Sequence, residues 1–214
     1  MENDLSNYRK SYEKHELLES NVPENPMELF IKWFHEVDTL FAGETNAMTI
    51  STLGLDGYPK SRVVLLKKYT YEGFIFYTNY DSEKGKAIAA NPNVCLSFFW
   101  QSAERQIIIK GKAEKIAENL SDGYFESRPR GSQLGALVSN QSQVVESKDV
   151  LEQQLKKLEK DYEGKEIPRP KNWGGYIIKP IEIEFWQGRP NRLHDRIRYT
   201  LQDDYNWLIN RLSP

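Results

Sequence analysis

The chain has 214 residues, of which 39% are hydrophobic and 28% charged, enough to bury a substantial core and most simply organised as one domain, residues 23–214, behind a polar arm, residues 1–22. Its 29 Lys and Arg against 31 Asp and Glu give a formal net charge of -2, which excludes a global basic field for holding nucleic acid or an anionic membrane, so any anion site has to be local. The single cysteine, Cys95, excludes a disulfide framework within the chain and reads as a core residue, no apolar run approaches the roughly 20 residues of a spanning helix, and the expected address is the cytoplasm.

The arm shows little periodicity beyond a possible short helix around Tyr8 to Leu18 and is expected to be mobile. At "NPMELFIKWFHEVDTLFAG" Asn25 can cap, Pro26 suits the first helical position, Glu28 fits a capping box and Gly43 stops the run. Met27, Phe30, Ile31, Phe34 and Phe41 are expected to form its apolar face, and His35 to be packed rather than catalytic. From Ala47 to Ile116 the pattern is of strands: "AMTISTL" and "YPKSRVVLLKKY" around the hairpin signal Asp56-Gly57, then "GFIFYTN", "NVCLSFFW" and "RQIIIKGKAEKI". A short helix in "SEKGKAIAANP" is capped by Ser82 and ended by Pro92. Two short helices broken at Pro129 and a longer one from Ser147 to Gly164 follow, then three more strands to the C-terminus. The expected class is mainly β with helices, near the α+β boundary: antiparallel strands closing as a barrel, with flanking helices.

The common dinucleotide, P-loop, zinc-protease, CxxC and hydrolase-elbow motifs are absent, and no metal-ligand set stands out. What remains is a set of cations inside otherwise apolar elements: Arg62 and Lys67 around "VVLL", Lys84 after a helix cap, Gln106 before "III", and Arg128, Arg130 and Ser132 at a helix break. Singly each reads as a solvated surface group; together they suit phosphate dianions. In "FWQGRPNRLHDRIRY" Arg192, His194, Arg196 and Arg198 recur at every second position, so an extended strand after a "QGRPN" hairpin loop would place all four on one face beside Trp186, with Ile181, Ile183 and Phe185 on the other. An aromatic plane beside such a row suits a flat anionic ligand; ion pairing to Glu182 and Glu184 is the plainer explanation.

These residues carry a resemblance. "IEFWQG" followed by "RLHDR" looks like the signature of the pyridoxamine 5'-phosphate oxidases, and the likeness extends through "RVVLLK", "FYTN", "ERQ", "YFESRPRGSQLGA", "NQS" and "NWGGY" in family order over nearly the whole chain. The resemblance implies an FMN-binding split barrel, a homodimer with flavin at the interface, and oxidation of pyridoxamine or pyridoxine 5'-phosphate to pyridoxal 5'-phosphate, with O2 reduced to hydrogen peroxide. Carried over position by position, it implies FMN contacts from Arg62, Val63, Val64, Leu65, Leu66, Lys67, Tyr77, Thr78, Lys84, Gln106, Gln141, Ser142, Trp186 and Arg196. It implies substrate contacts from Lys67, Tyr124, Arg128, Ser132, Arg192, Leu193 and His194, with Arg9, Lys10, Ser11 and Tyr12 as lid candidates. Arg196 is the candidate for stabilising charge on reduced flavin, and Arg192 and His194 for the catalytic pair, His194 or a water taking the substrate's proton.

Two features depart from an easy transfer. The family commonly has Arg just before the phosphate-binding lysine, where this chain has Glu83, with Lys86 as one possible compensating charge. Arg62 and Lys67 also differ in strand parity, which calls for a bulge or for Lys67 at a strand end. The competing readings are a split-barrel FMN reductase or flavin-binding module, and a nucleic-acid-binding barrel, the latter disfavoured by the net charge.

Overall fold

The computed structural model describes residues 3–40 and 43–214. Among the described residues, five α-helices and nine strands follow in the order α1 (Pro26–Leu40), β1 (Ala47–Leu53), β2 (Pro59–Leu65), β3 (Lys68–Thr70), β4 (Gly73–Asn79), α2 (Glu83–Ala90), β5 (Asn93–Trp100), β6 (Arg105–Lys115), α3 (Glu118–Ser127), α4 (Arg130–Val138), α5 (Lys148–Asp161), β7 (Trp173–Gln187), β8 (Asp195–Leu201) and β9 (Trp207–Arg211). The strands order as β2-β1-β5-β6-β7-β4-β3, with β8 on β7 and β9 on β8. By internal contacts the chain divides into two compact units: unit 1 holds residues 1–49, 95–110 and 180–214, and unit 2 holds residues 50–94 and 111–179.

Local signals place most of these elements. Asn25 accepts the Met27 N–H through its side chain at 2.9 Å, and Ser82 accepts the Gly85 N–H at 3.2 Å, so both helices start at their capping residue. The Asp56-Gly57 turn closes through Gly54 N–H to the Tyr58 carbonyl at 2.8 Å, with Gly57 at φ +82°. In unit 1, α1 buries Met27, Leu29, Phe30, Trp33 and Val37. Phe30 lies 5.5 Å from Phe98 of β5, and Trp33 meets Phe185 of β7 edge-on at 5.2 Å. Each such ring contributes roughly 1.5–3 kcal/mol by leaving water.

Several sequence expectations are corrected here. Residues 8–18 form no helix; among the described residues before α1, a 3-10 turn at Glu19–Asn21 is the one helical element. Ile31 and Phe34 are half-buried and His35 is exposed, because the core stripe of α1 runs through Trp33 and Val37 instead; Phe41 lies outside the described residues. Cys95 is half-buried, on the opposite face of β5 from buried Val94, Leu96, Phe98 and Trp100. Ile181 is exposed, while Ile183 and Phe185 are fully buried.

In unit 2, Phe74, Phe76, Tyr176 and Ile178 are buried along paired β4 and β7, where Phe76 lies opposite Tyr176. A second cluster gathers Phe125, Leu134, Ile167 and Trp173, with Tyr77 and Tyr124 against it. Two glycines permit close approaches near the site. A Cβ on Gly85 would come within 2.1 Å of the Tyr80 carbonyl, and one on Gly174 within 2.3 Å of the Tyr80 hydroxyl, so α2 and β7 both pack against the turn that follows β4.

Candidate active site

The unit 2 cations that the sequence assigns to phosphate are assembled by short, local devices. β4 ends in Thr78-Asn79, the turn at Tyr80-Asp81 leads to the Ser82 cap, and α2 then presents Lys84 in its first turn. The Lys84 side chain is buried, only 8% exposed. Its ammonium donates to Gln141 Oε1 at 2.7 Å and to Thr78 Oγ1 at 3.1 Å. Thr78 itself donates to Gln141 at 3.2 Å. Arg62 of β2 donates to Thr52 Oγ1 of β1 at 2.7 Å. Lys84 is thus held by neutral oxygens, and burial together with the nearby Arg62 pulls its pKa from the ordinary value down to about 8. Burial also lowers Arg62, against the opposing pull of Glu83.

A cavity of about 250 Å³ adjoins this cluster, lined by Asn79, Arg128, Ser132, Ala136, Gln141 and Trp173 among others. Gln141 is therefore common to the Lys84 cluster and to the cavity that carries Arg128. The Arg128 guanidinium sits 4.6 Å over the Trp173 ring and 5.7 Å from Phe125. Its Nη1 is buried and has no hydrogen-bond partner, and burial lowers its pKa. A buried N–H aimed at nothing costs roughly 1–3 kcal/mol unless a ligand completes it. Tyr77 and Tyr124, assigned above to different ligands, stack on each other at 3.8 Å, and both lie nearly parallel to Trp173.

The remaining unit 2 candidates are less enclosed. Val63 and Lys67 are exposed, Val64 and Leu65 half-buried, and Leu66 turns its side chain into the core. Lys67 follows the end of β2, its N–H bonded to the Ile75 carbonyl at 2.8 Å, so the strand end rather than a bulge resolves its parity with Arg62. Ser132, Gln141 and Ser142 are exposed, Ser142 at φ +70°. Arg130 donates to the Lys165 and Tyr162 carbonyls and so serves the loop that it braces.

In unit 1 the expected cation row does not form. β8 begins only at Asp195; Pro190 opens a 3-10 turn in which Asn191 and Arg192 take left-handed φ of 56° and 61°. The connection from Gln187 to Asp195 is therefore longer than "QGRPN". Arg192 and Leu193 are exposed on this turn. Only Arg196 and Arg198 share a strand face, and Trp186 lies opposite Arg196 in the β7-β8 register. Arg196 is already paired: its Nε and Nη2 reach Glu184 at 2.7 and 3.2 Å, and Nη1 donates to the Ser213 carbonyl. That leaves two of its five N–H donors for a ligand. Arg198 Nε is buried without a partner.

His194 stands 4.7 Å from Trp186, and its Nδ1 accepts the Arg189 backbone N–H at 3.0 Å. Burial and the Arg192 charge lower its pKa, against Asp195. The neutral ring consequently carries its proton on Nε2. Tyr12 of the arm is edge-on to Trp186 at 5.7 Å and 5.9 Å from His194, over Gly188, where a Cβ would come within 2.7 Å of the Tyr12 ring. Glu104 fixes the same arm by accepting the Glu13 and Lys14 backbone N–H groups at 2.9 and 3.1 Å. Lys10 lies 3.8 Å from Glu104, while the Arg9 side chain donates to the nearby Ser6 carbonyl and Ser11 is exposed. Gln106 is half-buried on β6.

Sequence reasoning missed Trp173, Thr52 and Asn79. The first had a visible signal, an aromatic directly before two glycines in "NWGGY"; the others are ordinary strand residues until the fold brings Thr52 to Arg62 and Asn79 to the cavity that Arg128 lines.

Comparison with known proteins gives the family and the fold. Residues 35–160 match the family model described as pyridoxamine 5'-phosphate oxidase, and residues 173–214 match the one described as the pyridoxine 5'-phosphate oxidase C-terminal dimerisation region. A pyridoxine/pyridoxamine 5'-phosphate oxidase of Flavobacterium psychrophilum is 73% identical over 213 residues, covering 99% of both chains. Among solved structures, PhzG of Burkholderia lata, in complex with tetrahydrophenazine-1-carboxylic acid, is similar with a TM-score of 0.85 at 28% identity, covering 91% of this chain and 95% of that one. An FMN-binding protein of Nostoc punctiforme, related to the same oxidases, shares the fold with a TM-score of 0.69 at 14% identity, covering 90% of this chain and all of that one. The fold is the split barrel that these structures share, an antiparallel β structure with flanking helices, as the sequence led us to expect. The chain belongs to the pyridoxamine 5'-phosphate oxidase family.

Proposed function

We propose that the protein oxidises pyridoxamine 5'-phosphate and pyridoxine 5'-phosphate to pyridoxal 5'-phosphate, with FMN as cofactor, in a cytoplasmic homodimer. The observation that carries this reading is the pair of cation sets in unit 2 whose hydrogen-bond and ring partners are all uncharged: Lys84 with Thr78 and Gln141 beside Arg62 on Thr52, and Arg128 over Trp173 in the adjoining cavity with Ser132. Two phosphorylated ligands need two such sets, and the donor chemistry fits them. FMN, when bound, would supply a hydride acceptor for substrate C4' and a route for the electrons to O2, so that the alcohol substrate and O2 would give aldehyde and hydrogen peroxide, while the amine would also consume water and release ammonia.

The chain's own groups bind and orient. Arg62, Thr78, Lys84, Gln141 and Ser142 hold the flavin phosphate, with the backbone from Val63 to Lys67 alongside. Trp186, Gln106 and Arg196 are assigned to the flavin ring. Arg196 contributes its two free N–H donors rather than net charge, since Glu184 neutralises it. Arg128, Ser132, Tyr124 and Lys67 hold the substrate phosphate, and Arg192 with Leu193 borders the substrate ring. His194 acts as a donor through Nε2–H, because its Nδ1 is occupied by the Arg189 amide; a water is then the acceptor for the substrate's proton. Tyr12, with Arg9, Lys10 and Ser11, covers the Trp186 and His194 side as a lid. Residues 173–214 supply the dimer contact.

The test is anaerobic: FMN-loaded protein is mixed with pyridoxine 5'-phosphate while flavin absorbance is followed, and air is then admitted. Bleaching, followed by recovery of colour with formation of aldehyde and peroxide, supports the reading. An unchanged flavin spectrum contradicts it.

A further inference from the structure

Glu83 sets an anion where a phosphate is to be held, and the structure shows what faces it. Lys60 and Arg62 are two residues apart on β2 and so share a face, while Glu83 and Lys84 are neighbours in the first turn of α2. Lys60 Nζ lies 2.5 Å from Glu83 Oε2, with both side chains about half exposed. Lys86, the compensating cation that the sequence suggests, is exposed on α2; the partner is instead a lysine 23 residues earlier.

We propose that Lys60 is a positioning residue for flavin binding, which neutralises Glu83 so that Arg62 and Lys84 present net positive charge to the FMN phosphate. This rests on the FMN reading above. Left alone, the Glu83 carboxylate would repel a phosphate dianion arriving at the start of α2 and would compete with it for the Lys84 and Arg62 donors. Glu83 is close enough to act on both cations. Holding that carboxylate on Lys60 removes the competitor without placing a further cation in the site. The usual family arginine and this acid-lysine pair are thus two ways to keep the phosphate site positive.

The experiment is a double-mutant cycle read as the dissociation constant of FMN, from quenching of flavin fluorescence by the full-length apoprotein, with riboflavin as the ligand lacking a phosphate. Lys60→Gln is expected to weaken FMN binding roughly two- to fivefold at low salt, as for a half-exposed pair. Riboflavin binding should not change, Lys60→Arg should restore FMN affinity, and the loss should shrink at high ionic strength. Glu83→Gln added to Lys60→Gln should return affinity to the wild-type level or better. The proposal is overturned if Lys60→Gln binds FMN as tightly as wild type, if riboflavin loses as much, or if the double variant is no better than the single. Failure of the wild-type protein to bind FMN at all would instead overturn the flavin reading on which the pair depends, so the two failures are distinguishable. Lys60 is an exposed side chain on a strand at the end of the sheet order, so the thermal midpoint should be retained and separates a folding defect from a binding one.

Discussion

In unit 1, Arg196 meets Glu184 at 2.7 Å, Arg105 meets Glu36 at 2.6 Å and Arg211 meets Asp195 at 2.7 Å. These carboxylates raise the pKa of Arg196 and Arg211. In unit 2, Arg62, Lys84 and Arg128 have neutral oxygens or aromatic faces as their direct partners, and burial lowers all three, for Arg62 and Lys84 against the opposing pull of Glu83. The same side-chain chemistry therefore answers two different needs. A cation whose pKa is raised already has its anion in the chain and holds structure together. One whose pKa is depressed in a half-closed site carries an unfavourable charge that a bound phosphate would relieve, and on that difference we base the proposed phosphate sites.

The strongest way to break this contrast is Lys84→Met. Loss of the buried ammonium is expected to weaken FMN binding by about 100-fold or more, as for a charge-assisted hydrogen bond in a low-dielectric site, and a fluorescence titration reads it directly. A loss under threefold would return Lys84 to the class of structural cations. Arg128→Met is expected to raise KM for the phosphorylated substrate roughly 10- to 100-fold with a smaller change in kcat. It should leave the thermal midpoint of the apoprotein level or higher, since an unpaired buried N–H is removed.

Acidity sharpens the comparison through opposite signs. With its folded pKa near 8 against an ordinary 10.5, Lys84 is charged below pH 8 and loses its proton above it. FMN affinity should therefore fall as pH rises through about 8. The unfolded chain keeps that proton up to about 10.5, so over pH 8–10.5 it binds more protons and the stability of the apoprotein should rise. Titrations and urea unfolding across that range check both, and Lys84→Met should flatten both. The smallest effect belongs to unit 1. Glu184→Gln strips the counter-ion from a partly exposed Arg196 and should cost about 1 kcal/mol in urea unfolding.

Features set by neighbouring residues were legible in the sequence: Ser82 and Asn25 capped as read, and the Asp56-Gly57 turn closed as read, because each is decided within a few positions. The alternation of Arg192, His194, Arg196 and Arg198 misled, because a regular period says nothing of where a strand begins; Pro190 and two left-handed residues delay β8 until Asp195. Long-range pairings were not legible. Nothing near Tyr12 points to Trp186, and nothing near Glu83 points to Lys60; only the fold brings residues 174 and 23 positions apart together. The orphaned Arg128 Nη1 was equally hidden, since an arginine at a helix break gives no sign in sequence that Trp173 and Phe125 will take the place of a carboxylate.

The most direct measurement compares two ligands that differ by one group: calorimetric titration of the wild-type apoprotein with FMN and with riboflavin at neutral pH and low salt. If the depressed cations of unit 2 await a phosphate, FMN should bind about 100-fold or more tightly than riboflavin, and the gap should narrow as salt is added. Equal affinities for the two would contradict the assignment.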